Sequence, residues 1–319
     1  MDETAGATGK RSAPARGNMD RIPFGIRQLD TTVDGGAPPG SVVLLAGEGG
    51  AGSREFVHTS AMLNALATGD PELHDLYYGD LATGASPPDE VHYVSFTTSE
   101  AQLATEMNMT MDDEIVEAGF EEVSVHDLSE QYFHQSPIPR DWYADRTAEI
   151  TELRSHQERD DILGTLGDLL TEHAPGNLVV VDSLTDLVST AGRDQPLEWS
   201  DVAFLVKGLQ KGANDWNGLI LVHVNRGTVT DTEYGQLLDG VAGTLEFEWA
   251  SGGSTRARTL VVKQFRGVLS QIADEDIVQF ETEVGGLRVE PFLQRRGERD
   301  RHLVRRLARH WRPVAVADS

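Results

Sequence analysis

The stretch Ser41-Val42-Val43-Leu44-Leu45-Ala46-Gly47-Glu48-Gly49-Gly50-Ala51-Gly52-Ser53-Arg54 decides how this chain is read. A short apolar run, Val42 to Leu45, enters a glycine-rich turn, and a helical pattern follows. That is the frame of the phosphate-binding pattern G-x-x-x-x-G-K-[ST]. Gly47 and Gly52 hold the frame, but Ser53 stands at the lysine position and Arg54 at the hydroxyl position. Backbone N–H groups of such a loop surround phosphate oxygens, and the helix N-terminus adds positive potential. This part of the chemistry needs glycines rather than lysine. Gly47, Glu48, Gly49, Gly50, Ala51, Gly52, Ser53 and Arg54 are therefore the candidate nucleotide-binding residues. The missing lysine would neutralise the β- and γ-phosphates, and the hydroxyl would help to hold Mg²⁺. Arg54 carries its charge one residue late, about 100° around a helix. A lost charge-assisted bond costs about 1.5–3 kcal/mol. Binding survives such a loss more readily than rapid phosphoryl transfer does. A glycine-rich turn without a ligand is the plain alternative.

Working outward, strand-like runs alternate with helical patterns, which predicts a mainly parallel α/β sheet. The expected strands are 41–46, 91–97, 122–126, 177–182 and 218–224. The expected helices are 53–66, 99–107, 143–173 and 197–213. From Val241 the pattern changes. Val241 to Trp249, Arg256 to Gln264 and Ile277 to Glu281 read as antiparallel strands joined by Gly-rich turns. Segments 68–90 and 128–142 read as long loops. The stretch Leu178-Val179-Val180-Val181-Asp182 reads as a buried strand ending in a carboxylate. An acid at that strand end commonly holds Mg²⁺ through water in such folds, so Asp182 is the candidate metal residue.

The expected organisation is a disordered N-terminus over 1–18, one nucleotide-binding domain over 19–290, and an Arg-rich tail helix over 291–319. The tail carries +5 and the rest of the chain −30. Leu303, Leu307 and Trp311 lie four apart there and form an apolar stripe on a helix. The tail either docks onto nucleic acid, a partner or a membrane surface, or packs on its own acidic body or a neighbouring subunit.

Acids outnumber bases 52 to 27 over 319 residues, for a net charge of −25, and only four lysines occur. Abundant acid with scarce lysine suggests a halophilic cytoplasm, where salt screens self-repulsion. The absence of cysteine excludes disulfides, thiolate metal sites and cysteine nucleophiles. No apolar run approaches the ~20 residues of a membrane span, and no signal-peptide core is present. The expected location is cytoplasmic.

Taken together, these segments resemble the KaiC/GvpD-like branch of the RecA-superfamily ATPases, and haloarchaeal "HTR-like" members most of all. The resemblance rests on Ile22-Pro23-Phe24-Gly25-Ile26, Leu29-Asp30, Gly35-Gly36 and Pro39-Gly40-Ser41 ahead of the first strand. It continues in Val180-Val181-Asp182-Ser183, in Asp239-Gly240-Val241, and in Arg258 to Gly267. It implies a RecA-like P-loop domain with a mainly parallel central sheet flanked by helices and antiparallel C-terminal strands. ATP or ADP with Mg is the implied cofactor set, and a homo-oligomeric ring is the implied assembly. The family usually has a Glu pair after the second strand, one Glu activating water. Here Thr97-Thr98 follow, and Glu100 comes two or three positions late. Glu100 is thus the catalytic candidate, with helix initiation as its competing role. Relatives place a Lys two residues before an Arg in the C-terminal hairpin, and both act on the neighbouring subunit's nucleotide. Arg266 matches that Arg, while Lys263 lies one residue early, on the opposite face of a strand. His223 and Asn225 follow the fifth strand, where such proteins often place a γ-phosphate sensor; a capping or core role is equally open.

Other constellations are weaker. Asp127, Glu130, His134 and Asp141 match no metal spacing. No G-x-S-x-G elbow or similar arrangement points to a hydrolase. The aromatics from Tyr132 to Tyr143 read as a flap or a partner surface. Three altered chemical positions (loop Lys, water-activating Glu, trans Lys) imply an ATP-binding regulatory or scaffolding protein with weak or absent ATPase activity. The alternatives are an active ring-forming ATPase, a nucleotide-independent interaction protein with an unknown protein partner, and a recombinase-related DNA-binding protein. Nucleic acid is expected only through the tail.

Overall fold

A computed structural model describes residues 21–134, 136–143, 162–188, 198–250 and 257–266, with the strand backbones at 279–283 and 292–295. The expected disordered N-terminus, the 251–254 turn, the 144–161 part of the third expected helix and the tail beyond Arg295 lie outside the described residues.

The elements run α1 (Arg27–Thr32), β1 (Ser41–Gly47), α2 (Ser53–Gly69), α3 (Pro71–Tyr77), β2 (Val91–Ser95), α4 (Glu100–Asn108), α5 (Asp113–Phe120) and β3 (Val123–Asp127). They continue with α6 (Ser129–Phe133), α7 (Ile162–His173), β4 (Leu178–Asp182), α8 (Leu184–Val188), α9 (Trp199–Trp216) and β5 (Leu219–Asn225). The last are α10 (Asp231–Gly240), β6 (Gly243–Ala250), β7 (Ala257–Phe265), β8 (Gln279–Glu283) and β9 (Phe292–Arg295). One sheet takes the order β3-β2-β4-β5-β1-β6-β7-β8-β9. The first five neighbouring pairs are parallel, and the last three are antiparallel. The fold class is thus α/β with a mainly parallel sheet and antiparallel C-terminal strands. The sheet runs past residue 290, because β9 pairs with β8.

The central strands are apolar on both faces, as a parallel sheet covered by helices requires. Val43, Leu45, Val180, Leu219 and Leu221 face one core with α2 and α5, where Met62, Leu66, Ile115 and Val116 pack. Val42, Leu44, Val179, Val181, Ile220 and Val222 face the other, with Leu166, Leu170, Val202 and Val206. Ahead of β1, Asp30 anchors the approach segment. Its carboxylate accepts from the Phe24 N–H (2.7 Å), the Ile26 N–H (3.0 Å) and the Tyr78 hydroxyl (3.1 Å).

Several expectations need correction. Segment 68–90 is not one loop, since α2 continues to Gly69 and α3 follows. Asp70 caps α3, accepting the Leu73 N–H at 3.0 Å, and Pro71 occupies its first turn. Both are helix-start signals. Segment 128–142 contains α6 and a 3-10 turn, Arg140–Trp142. Helices α5 and α10 were not expected. The short apolar face of α5 lies against α2, and α10 begins with a Thr230/Glu233 capping box. Finally, β6 is antiparallel only to β7, while along its other edge it pairs parallel with β1. Among the described residues no helix is long and apolar enough to cross a membrane.

Candidate functional site: a rewired phosphate loop

The carboxyl ends of β1, β4 and β5 meet at one edge of the sheet, where open α/β sheets bind ligands. Register places Leu45 opposite His223 and Gly47 opposite Asn225. β1 enters the glycine loop, where Gly50 (φ 74) and Gly52 (φ 106) adopt left-handed backbone that side chains disfavour. Gly52 is the N-cap of α2. The first bond of that helix runs from the Phe56 N–H to the Gly52 carbonyl, 2.9 Å. The N–H groups of Ser53, Arg54 and Glu55 precede it and have no partner within the helix. A cavity of ≈ 450 Å³ opens over the loop, lined among others by Gly49, Ser53, Arg54, His58, Glu106, Met109 and His223.

Ser53 folds back over the loop. A Cβ at Gly47 would stand 2.1 Å from the Ser53 Oγ, so this approach requires glycine there. Ser53 Oγ lies 3.0 Å from His223 Nε2, and His223 Nδ1 lies 2.8 Å from Asp182 Oδ1. The other Asp182 oxygen accepts from the Tyr93 hydroxyl at 2.8 Å and stands 3.8 Å from Arg54 Nε. Burial by itself would raise the Asp182 carboxyl. The His223 hydrogen bond and charge, Arg54 and Tyr93 outweigh burial and hold it down at about 2. Asp182 is therefore an anion, and His223 donates to it through Nδ1. With the ring neutral, that donation leaves Nε2 as acceptor for the Ser53 hydroxyl; with the ring charged, both nitrogens donate. The sequence predicted no hydrolase-like arrangement. The fold places a serine, a histidine and an aspartate in hydrogen-bonded series. Residues separated by 129 and 41 positions meet because β1, β4 and β5 are neighbours.

The implied Mg²⁺ does not fit this arrangement. The cation beside Asp182 is Arg54, both carboxylate oxygens have partners, and the Ser53 hydroxyl is committed to His223. Among the described residues no three His, Cys, Asp or Glu side chains converge in metal-holding geometry. Arg54 also reaches Glu106 at 3.8 Å.

The loop is clasped from the β6–β7 side. Trp249 donates its indole N–H to the Gly49 carbonyl at 3.2 Å and its backbone N–H to Glu48 at 3.4 Å. Arg258 lies 5.2 Å over the Trp249 ring and 3.4 Å from Glu55. Ala51 is buried in the core, beneath the loop.

Glu100 is exposed in the first turn of α4, behind a Ser99/Gln102 capping box. The acid that α4 contributes to the cavity wall is Glu106, about two turns later, beside Glu48 and Glu55 of the loop and α2. Lys263 pairs with Glu246 at 2.5 Å, and Arg266 donates to the Asp239 carbonyl at 3.1 Å. Neither is among the cavity-lining residues of its own chain. His58, Glu106, Met109 and Tyr93 escaped the sequence reading. His58, Tyr93 and Glu106 lie inside elements and Met109 just past the end of α4, with no motif around them, and only the tertiary fold assigns them to the site.

No family model matches the sequence, and no curated protein does. Among solved structures, a KaiC-like protein from Pyrococcus horikoshii OT3 superposes with a TM-score of 0.50 at 14% identity. It covers 86% of this chain and 100% of that one. The fold is KaiC-like. The flagellar accessory protein FlaH from Methanocaldococcus jannaschii gives a TM-score of 0.48 at 14% identity, over 87% of this chain and 97% of that one.

Proposed function

We propose that this KaiC-like protein binds ATP or ADP and acts as a regulatory or scaffolding subunit with weak or absent ATPase activity. The glycine loop and the N-terminal N–H groups of α2 supply a phosphate cradle. One observation carries the rest: Arg54 stands 3.8 Å from Asp182, in the place of a metal cation. Nucleotide binding should then be independent of magnesium. Hydrolysis should be slow, because Ser53 stands where a lysine would neutralise the β- and γ-phosphates.

The test is calorimetry of ATP and ADP in molar KCl, a condition matched to the −25 net charge. Saturable binding is expected at equal strength in Mg²⁺ and in EDTA. Arg54→Ala should weaken it roughly ten-fold or more, the worth of one charge-assisted bond. Absence of binding at millimolar nucleotide would remove this reading and leave an interaction protein. Magnesium-dependent binding with multiple turnover and ring assembly would replace it with an active ATPase, and Arg266 would then act across subunits.

A further inference from the structure

We propose that Ser53, His223 and Asp182 form a nucleophilic relay that cleaves a neutral or cationic carboxylic ester bound in the loop cavity. This goes beyond nucleotide binding and stands without it.

Three observations carry the inference. The spacing, 3.0 Å from Ser53 Oγ to His223 Nε2 and 2.8 Å from His223 Nδ1 to Asp182 Oδ1, is that of a nucleophile, its base and the base's orienting group. Ser53 is the first residue of a helix that follows a strand and a tight glycine turn. The N–H of the next residue, Arg54, is thereby left free to stabilise an oxyanion, as in strand-turn-helix hydrolases. Finally, His58 lines the same cavity, is 3% exposed, and has no hydrogen-bond partner on either ring nitrogen among the described residues. A buried orphan of this kind calls for a polar ligand atom. Away from the loop N–H groups and Arg54, which suit a phosphate, Glu48, Glu55 and Glu106 on the wall favour a neutral or cationic ester, and Met109 offers an apolar contact.

The reaction balances with water as the only co-reactant. Ser53 Oγ bonds to the ester carbonyl carbon as its proton passes to His223 Nε2, and the carbonyl oxygen becomes the oxyanion. The C–O bond to the leaving group then breaks, and His223 returns its proton to the departing alkoxide. Water attacks the acyl-serine and gives a proton to His223. Collapse releases the carboxylic acid and restores the Ser53 hydroxyl. Asp182 is a positioning residue that keeps His223 in the required tautomer.

The test uses the full chain in molar KCl without nucleotide. A fluorophosphonate probe should form an adduct that mass spectrometry places on Ser53, and Ser53→Ala should abolish it. His223→Gln should slow labelling roughly 100-fold, the scale of a general base, with its melting curve retained. Asp182→Asn should lower kcat for p-nitrophenyl acetate while leaving KM unchanged. The chain has no cysteine, so Ser53→Cys creates a single thiol. Iodoacetamide should alkylate it at least about ten-fold faster than in the Ser53→Cys/His223→Gln protein, because a neighbouring base raises the thiolate fraction. Failure of wild type to label, labelling at another residue, or equal rates with and without His223 in either assay would overturn the proposal.

Discussion

Asp30→Ala is expected to lower the free energy of unfolding by about 3–5 kcal/mol, because it orphans three buried donors at once. Phe24, Ile26 and Tyr78 are each at most 3% exposed, so water cannot replace the lost acceptor without opening the core. Each unsatisfied buried donor costs about 1–3 kcal/mol. For a domain of this size the loss corresponds to a fall in Tm of roughly 10 °C. Tyr78→Phe is the control: it removes one of the three bonds, leaves both backbone pairs, and should cost about 1 kcal/mol. Denaturant unfolding of the three proteins in the same salt measures the difference. A loss below that of Tyr78→Phe would mean that the backbone donors find other acceptors and that Asp30 is not the anchor of the approach to β1.

Acid should destabilise the protein through His58 by about 3 kcal/mol as pH falls from 6.5 to 4. Burial holds the His58 pKa down at about 4, against an ordinary 6.5. Asp182 opposes that shift, while Arg54 and His223 add to it. The sign follows from proton counting. Between pH 6.5 and 4 the unfolded chain binds a proton at this position and the folded chain does not, so stability falls with pH. Other groups titrate in the window too, and His74 and His92, both lowered chiefly by burial, act in the same direction. His126, lowered to about 4 by burial and by His92 and His173, acts in the same direction. Asp30, raised to about 7 by burial against its hydrogen bonds, acts in the opposite one, since its folded form takes up the proton first. Comparison with His58→Leu isolates the term. The variant should match or exceed wild-type stability at pH 7, because two unpartnered nitrogens are removed, and its advantage should grow by about 3 kcal/mol at pH 4. Parallel pH profiles for the two proteins would show that His58 gains a partner in solution.

The fold was legible where apolar runs are long and buried on both sides. Val42 to Leu45, Val179 to Val181 and Leu219 to Val222 cannot be exposed, and their spacing by helical segments dictates parallel pairing. Short helices were not legible in the same way. The signal for α3 is local chemistry at Asp70 and Pro71, and the apolar face of α5 is short, with Ile115 and Val116 buried and Ala118 and Phe120 partly buried against the core. The parallel edge of β6 was invisible because a strand's partner depends on a crossover, not on its own residues. At the site, the glycines of the loop announced themselves through their spacing. His58, Glu106 and Tyr93 did not, since a single polar residue on a buried element carries no pattern.

By itself, the sequence determined an α/β chain with a glycine-rich loop whose lysine and hydroxyl positions hold Ser53 and Arg54. Periodicity and glycine spacing are local properties, and they survive translation into structure. Only the tertiary structure decided where those two side chains go. Strand order β4-β5-β1 brings Asp182, His223 and Ser53 into one hydrogen-bonded series and sets Arg54 against Asp182. The directions and protonation states of these side chains depend on groups distant in the chain. Burial and charge fix them after the sheet has formed.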